Sequence, residues 1–288
     1  NDVSLNNIAG NIGPTKLTGN GELKGLSAEP TNGQVSNFDF TLVLDTIPVK
    51  DFMEPEAKSQ DDWGNWSKEP MELVALNQYE GRASITANNI IYDDYSFENP
   101  RFEAVLKDGV ININNFTGKL FGGEVNVAGT FSSTGDLDMN MSLKNATIVD
   151  ATSTIAGIKP VSGKFNMTQN LKGKGTTQSD LISSLSGTGE IVATPGVISG
   201  IDIPKLSESL NGLNNKNGLL GLLGSTLSGG QTPYQGGQST ITTKNGYIQL
   251  SPFDVQMLGA DSALNLAINL AEWKMNMAGE MSLRDHPD

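Results

Sequence analysis

The chain alternates apolar and polar residues with a period of two, and this constrains its fold more than any other feature. In LDMNMSL (137–143), Leu137, Met139, Met141 and Leu143 take one side, and Asp138, Asn140 and Ser142 take the other. Phe165 and Met167 repeat the pattern in GKFNMTQNL, continuing towards Leu171. Near the end, ALNLAINL places Leu264, Leu266, Ile268 and Leu270 together. WKMNMAGEM then aligns Trp273, Met275, Met277 and Met281 against Lys274, Asn276 and Glu280. A backbone that sends successive side chains to opposite sides reads this way only as a half-buried strand. Short turn signals separate the runs: KDG at 107–109, STG at 133–135, TPG at 194–196 and KNG at 244–246. Leu270 to Trp273 is equally tight. Connections this short join antiparallel neighbours, because parallel strands need long crossovers.

The expected fold is therefore mainly β, an antiparallel meander with two or three short helices. TTQSDLISSL (176–185) offers Thr177 or Ser179 as a helix cap ahead of Leu181, Ile182 and Leu185. PKLSESL (204–210) and DATSTIAG (150–157) are the other candidates. Residues 50–70 are acidic, flanked by proline and non-periodic, and read as a long loop. Residues 211–239 are glycine-rich around Leu219, Leu220, Leu222 and Leu223 and read as a second loop, whose leucines either tuck onto the core or form a plug. Nothing else interrupts the strand pattern, so residues 1–288 read as one continuous β-rich domain. Around Pro195–Gly196, LSGTGEIVATPGVISGIDIP (185–204) reads as a strand, a turn and a returning strand.

Chemistry is sparse. The 288 residues contain no cysteine and one histidine, His286, near the end. Thiolate chemistry, disulfides, Ser–His–Asp triads and histidine metal sites thereby lose their raw material. Gly187–Thr188–Gly189 is followed by strand residues and not by a helix, so it is no dinucleotide fingerprint. The expectation is a protein that is not an enzyme and carries no cofactor. A net charge of −13 repels phosphate backbones, which argues against nucleic acid. The carboxylate pairs Asp61–Asp62, Asp93–Asp94 and Asp136–Asp138 lack calcium-loop spacing and read as solvated loops and strand ends.

What remains is the apolar strand faces, and two readings of them stay open. They are the core of a closed sandwich, as in an extracytoplasmic adhesin or carbohydrate-binding domain, with calcium as a candidate stabiliser. Alternatively they are an open surface that takes up acyl chains. Methionines at 139, 141, 167, 275 and 277 favour the second, since an unbranched thioether adapts to irregular apolar partners.

Two stretches, in order, resemble the AsmA family of Gram-negative envelope proteins. The first runs from Trp66–Ser67 through ALNQYEGRASITANNIIYDDYSFENPRFEAVLKDGVININNFTGKLFGGEVNVAGTF (75–131), with the step Leu120–Phe121–Gly122–Gly123. The second runs from TTQSDLISSLSGTGEIVATPGVISGIDIPKL (176–206) through TPY (232–234) to KNGYIQLSPFDVQMLG (244–259). The resemblance implies a long curved open sheet, a half-pipe with an apolar interior. It also implies that the chain is the C-terminal part of a longer periplasmic protein, anchored in the inner membrane by an N-terminal helix outside this sequence. Its expected role is to move or hold phospholipid acyl chains between the membranes, supporting outer-membrane homeostasis. The residues expected to line the groove are Leu137, Met139, Met141, Leu143, Phe165, Met167, Leu264, Leu266, Ile268, Leu270, Met275 and Met277.

Overall fold

The computed structural model describes residues 2–25, 35–52, 66–157, 161–206 and 229–284. Val3–Ile12 (β1) and Thr15–Lys24 (β2) form a hairpin, and Ser36–Leu44 (β3) adds antiparallel to β2. Thr46–Pro48 (β4) prolongs β3 beyond a break at Asp45. Tyr79–Thr86 (β5) and Asn89–Tyr92 (β6) follow, then the meander Tyr95–Lys107 (β7), Val110–Leu120 (β8), Gly123–Ser132 (β9), Asp136–Thr147 (β10), Lys164–Lys174 (β11) and Ser186–Ala193 (β12). Gly196–Ser199 (β13) pairs with Gln231–Tyr234 (β14), and Gly237–Lys244 (β15) pairs with β12. Tyr247–Met257 (β16), Ala260–Asn269 (β17) and Lys274–Leu283 (β18) complete one 18-stranded sheet. The sheet is open and curved, with β1 at one edge and β18 at the other. The sandwich alternative is therefore not what forms, because every strand belongs to the same sheet.

Among the described residues two α-helices interrupt the meander: Ile148–Ala156 (α1) after β10 and Gln178–Ser184 (α2) after β11. Of the two cap candidates for α2 it is Thr177 that serves, its hydroxyl accepting from the Asp180 amide at 3.0 Å. The third candidate is described only at 203–206, where the chain makes one helical turn. Asp108–Gly109 and Asn245–Gly246 have positive φ at both positions (51° and 70°, 52° and 72°), the geometry that suits the twist of a two-residue hairpin.

The structure differs from the sequence reading in three places. Pro195–Gly196 does not reverse the chain. Ala193 opposes Gly237 and Gly196 opposes Tyr234, so one antiparallel register runs unbroken through the proline, and β13 continues β12. Proline has no N–H to give the ladder, and here it leaves a gap in a rung. The glycine-rich segment of 211–239 falls outside the described residues up to 228, but its end is strand, comprising β14 and the start of β15. Finally, β3 with β5 and β4 with β6 pair in parallel within an otherwise antiparallel sheet.

The acidic stretch of 50–70 is the crossover that such parallel pairing requires. Its residues 53–65 lie outside the described set, but 66–78 run along one end of the sheet as a strap. Trp66 Nε1 donates to the Leu270 carbonyl at 2.7 Å, and its ring meets Trp273 edge-on at 5.9 Å, in the β17–β18 turn. The Ser67 carbonyl accepts from Ser179 N at 3.0 Å, and Met71 N donates to Thr176 O at 2.8 Å, beside α2. Ser133 Oγ, in the β9–β10 turn, donates to Asn77 Oδ1 at 3.0 Å. The strap thus ties together hairpin turns that are far apart along the sheet.

Single-residue insertions keep the sheet in phase. The ladder slips between Leu5 and Ile8, Ile113 and Phe116, Leu143 and Ala146, and Leu250 and Phe253. Each of these four is a three-residue step between apolar side chains, with polar residues or proline between them: Asn6–Asn7, Asn114–Asn115, Lys144–Asn145 and Ser251–Pro252; a further slip on β7, between Glu98 and Arg101, is flanked by charged residues of the opposite face. The extra residue restores the side on which apolar groups emerge. Asn7 and Asn145 hold left-handed φ values of 55° and 58°. In both, the bulged amide donates to a cross-strand asparagine, Asn20 Oδ1 at 3.0 Å and Asn166 Oδ1 at 2.8 Å.

Two outcomes follow for stability. Asn145→Val, a β-branched residue forced into the left-handed region, is expected to cost about 1–2 kcal/mol in urea denaturation, whereas Asn145→Gly stays near wild type. Trp66→Ala is expected to cost about 1–3 kcal/mol and to speed amide exchange at residues 269–274 while leaving β7–β9 unchanged. Uniform exchange across the sheet in Trp66→Ala would show that the strap anchors nothing locally.

Candidate functional site: an uninterrupted apolar face

Directly opposed residues of paired strands point to the same side, so sidedness can be traced from register alone. Starting at Met141, the opposed residues are Val127 on β9 and Gln169 on β11. Leu143 faces Val125 and Met167, Met139 faces Gly129 and Leu171, and Leu137 faces Phe131 and Gly173. Phe165 and Met167 continue to Ala193 and Ile191, then to Gly237 and Ser239. Ile241 leads to Leu250, Leu250 to Leu266, and Leu266 to Met277; Ile268 meets Met275 and Leu264 meets Gly279. In the other direction the face passes through Ile113, Ala104, Ala83 and Phe40 to Gly21 and Leu5.

All the residues expected to line a groove therefore lie on one face, from β10 to β18, with Leu270 at the end of that row in the β17–β18 turn. The same face runs on to β1. No Asp, Glu, Lys or Arg occupies a paired position on it among the described residues. The opposite face carries the charge. There Lys174 pairs with Asp136 at 2.8 Å, Lys172 with Asp138 at 3.0 Å and Arg82 with Asp39 at 2.7 Å. Lys174, together with the Thr134 and Ser132 hydroxyls, holds the Asp136 carboxyl below its usual range. With Lys50 paired to Asp93 as well, three of the carboxylates considered for calcium are spent on lysines. Asp61 and Asp62, like His286, lie outside the described residues.

Among the described residues no second sheet covers the apolar face, yet it is sheltered. On β15, Ser239, Ile241 and Thr243 are buried while Gln238 lies outward among exposed Thr240, Thr242 and Lys244. Large side chains reach this shelter under a single layer when the sheet curls towards them, so the apolar face is the concave one. Shelter fades at the free edge, where Met275, Met277 and Met281 are 50%, 60% and 50% exposed. Leu143, by contrast, is 5% exposed. The other lining residues on β10, β11 and β17 are half-buried. The trough is bounded at its ends. Leu181 of α2 and Leu185 just after it lie over Gly173, where a Cβ would approach them to 3.3 and 3.0 Å. At the opposite end, Ile203 and Leu206 pack on Ala260 and Leu283.

Few polar side chains interrupt the face, and most are satisfied locally. Tyr234 OH donates to the Ser162 carbonyl at 2.6 Å, and burial pushes its hydroxyl pKa up. Ser239 Oγ donates to the Ser251 carbonyl and closes the β16 bulge. Gln169 is different: it is 7% exposed, and its Oε1 has no partner. Period-two reading had stepped over it. The available signal was a glutamine at an apolar register position, between Met167 and Leu171.

Among the described residues, no helix is long and apolar enough to cross a membrane. No curated protein and no solved structure matched the chain. The model of the AsmA family matches residues 47–253, from β4 through most of β16. That span takes in the parallel crossover, both helices and the middle of the apolar face, and on it this chain belongs to the AsmA family, a family of the cell envelope.

Proposed function

We propose that the chain is a periplasmic lipid carrier segment that holds phospholipid acyl chains against its concave apolar face, on a route between inner and outer membrane. The observation that supports this best is the continuity of that face: one charge-free surface from β1 to β18, with no second sheet on it among the described residues. Family membership supports the wider setting, an envelope role connected with lipid or assembly.

Such a device works by contact and needs no catalytic group. Each CH₂ moved out of water is worth about 0.8 kcal/mol, so a trough returns to a tail most of what it loses on leaving a bilayer. Because the sheet is open, a two-tailed lipid can enter sideways and keep its headgroup near water. Methionine side chains conform to tails of different length and unsaturation. In the full-length protein, an inner-membrane helix would place the trough beside its source of lipid.

Native mass spectrometry of protein purified from cells is expected to show bound phospholipid, exchangeable with labelled vesicles. Met277→Asp tests the face directly. At 60% exposure the aspartate costs little folding energy, yet it sets a charge where tails must pass, and uptake is expected to fall at least tenfold. Wild-type protein that carries no lipid and exchanges none with vesicles would sink the proposal.

A further inference from the structure

The middle of the trough contains one feature that a uniform greasy surface does not need. Gln169 projects from β11 between Met167 and Leu171, opposite Met141 on β10 and Gly189 on β12. Its Nε2 donates to the Asn170 carbonyl at 3.1 Å and to Thr243 Oγ1 at 3.3 Å. A backbone carbonyl only accepts, so this contact fixes which end of the amide is nitrogen. Oε1 is then left buried and without a donor. It lies over Gly189, where a Cβ would come within 2.3 Å of it, so the glycine leaves it room. Thr243 is 3% exposed, and its oxygen accepts from Gln169 while its own hydroxyl proton has no acceptor among the described residues. An acceptor and a donor thus sit side by side on an apolar face, at a position where leucine would bring no unpaired acceptor of its own.

We infer that Gln169 and Thr243 form a polar station that fixes the depth of a bound lipid, taking a polar end that carries an O–H or N–H donor. A neutral hydroxyl such as that of a glycerol has that chemistry, and it reaches the trough without burying a charge. Ester carbonyls only accept and leave Oε1 unsatisfied. The inference rests on the reading of the trough as an acyl-chain surface and adds selectivity to it. Oε1 is reached when neighbouring side chains move. Met141 and Met167, which flank it on the same face, are unbranched and change rotamer at little cost.

The test compares wild type with Gln169→Leu by displacement of a fluorescent fatty acid, using monoolein, which has free hydroxyls, and methyl oleate, which has the same chain and no donor. Gln169→Leu is expected to weaken monoolein about fivefold, the worth of one buried hydrogen bond, and to leave methyl oleate unchanged or tighter. Thr243→Val, which keeps the glutamine, is expected to weaken monoolein selectively by a smaller factor and serves if Gln169→Leu does not fold. If both variants bind the two ligands as wild type does, or lose both equally, an ordered water satisfies Oε1 and the station is refuted. If wild type binds neither ligand, the acyl-chain reading falls and takes the station with it.

Discussion

Sidedness must be conserved from strand to strand, and the rest of the architecture depends on this constraint. A slip of one residue in any ladder would turn a row of leucines and methionines outward and a row of lysines and aspartates inward. Over eighteen strands the error would have many chances to enter. The chain bends its strands with inserted residues, and each insertion alone would create that error. It avoids it by spacing the flanking apolar residues three apart, as at Leu143 and Ala146 or Ile113 and Phe116. At two bulges an asparagine takes up the left-handed backbone and a cross-strand asparagine receives its amide. Curvature is thus introduced without loss of phase.

Keeping one face apolar in a single layer has an energetic consequence. Each strand rests mainly on its two neighbours, so stability accumulates along the ribbon, as it does in repeat proteins, and does not come from a central core. Among the described residues the one cluster of mutually packed buried side chains is small, Ile203, Leu206 and Ala260 at one end. Long-range ties therefore matter more than in a sandwich. The strap from Trp66 to Asn77 supplies one such tie by joining the turn after β17 to the turn after β9. The parallel crossover, a departure from the meander, is what carries the chain to that position.

The architecture was largely legible in the sequence because period-two alternation is a local property. It placed Leu137 to Leu143 and Leu264 to Leu270 on common faces, and those faces proved to be one. What stayed hidden was long-range or rested on single exceptions. Nothing local distinguishes a loop from a crossover, so 50–70 concealed a parallel pairing. Pro195–Gly196 has turn composition, and only the register of β14 and β15 shows that the rung goes straight through. Gln169 was passed over because a pattern is recognised by its agreements, and this residue is where the pattern fails. The partner Thr243 lies 74 residues away and becomes visible only when β11, β12 and β15 are laid side by side.

Side-chain packing explains why the apolar face needs no second sheet among the described residues. In a sandwich, side chains stand up from each sheet and interdigitate with those of the other. Here several aromatic rings lie down on their own sheet. A Cβ on Gly21 would fall 2.3 Å from Phe40 Cδ1, one on Gly118 2.6 Å from Phe97, and one on Gly81 2.7 Å from the Phe38 ring. Each ring occupies the space that a cross-strand glycine vacates, which shelters its own apolar surface laterally. A face that covers itself sideways needs no second sheet above it. Glycine, a weak strand former, is accepted at these positions because the missing side chain is what allows the neighbouring ring to lie flat.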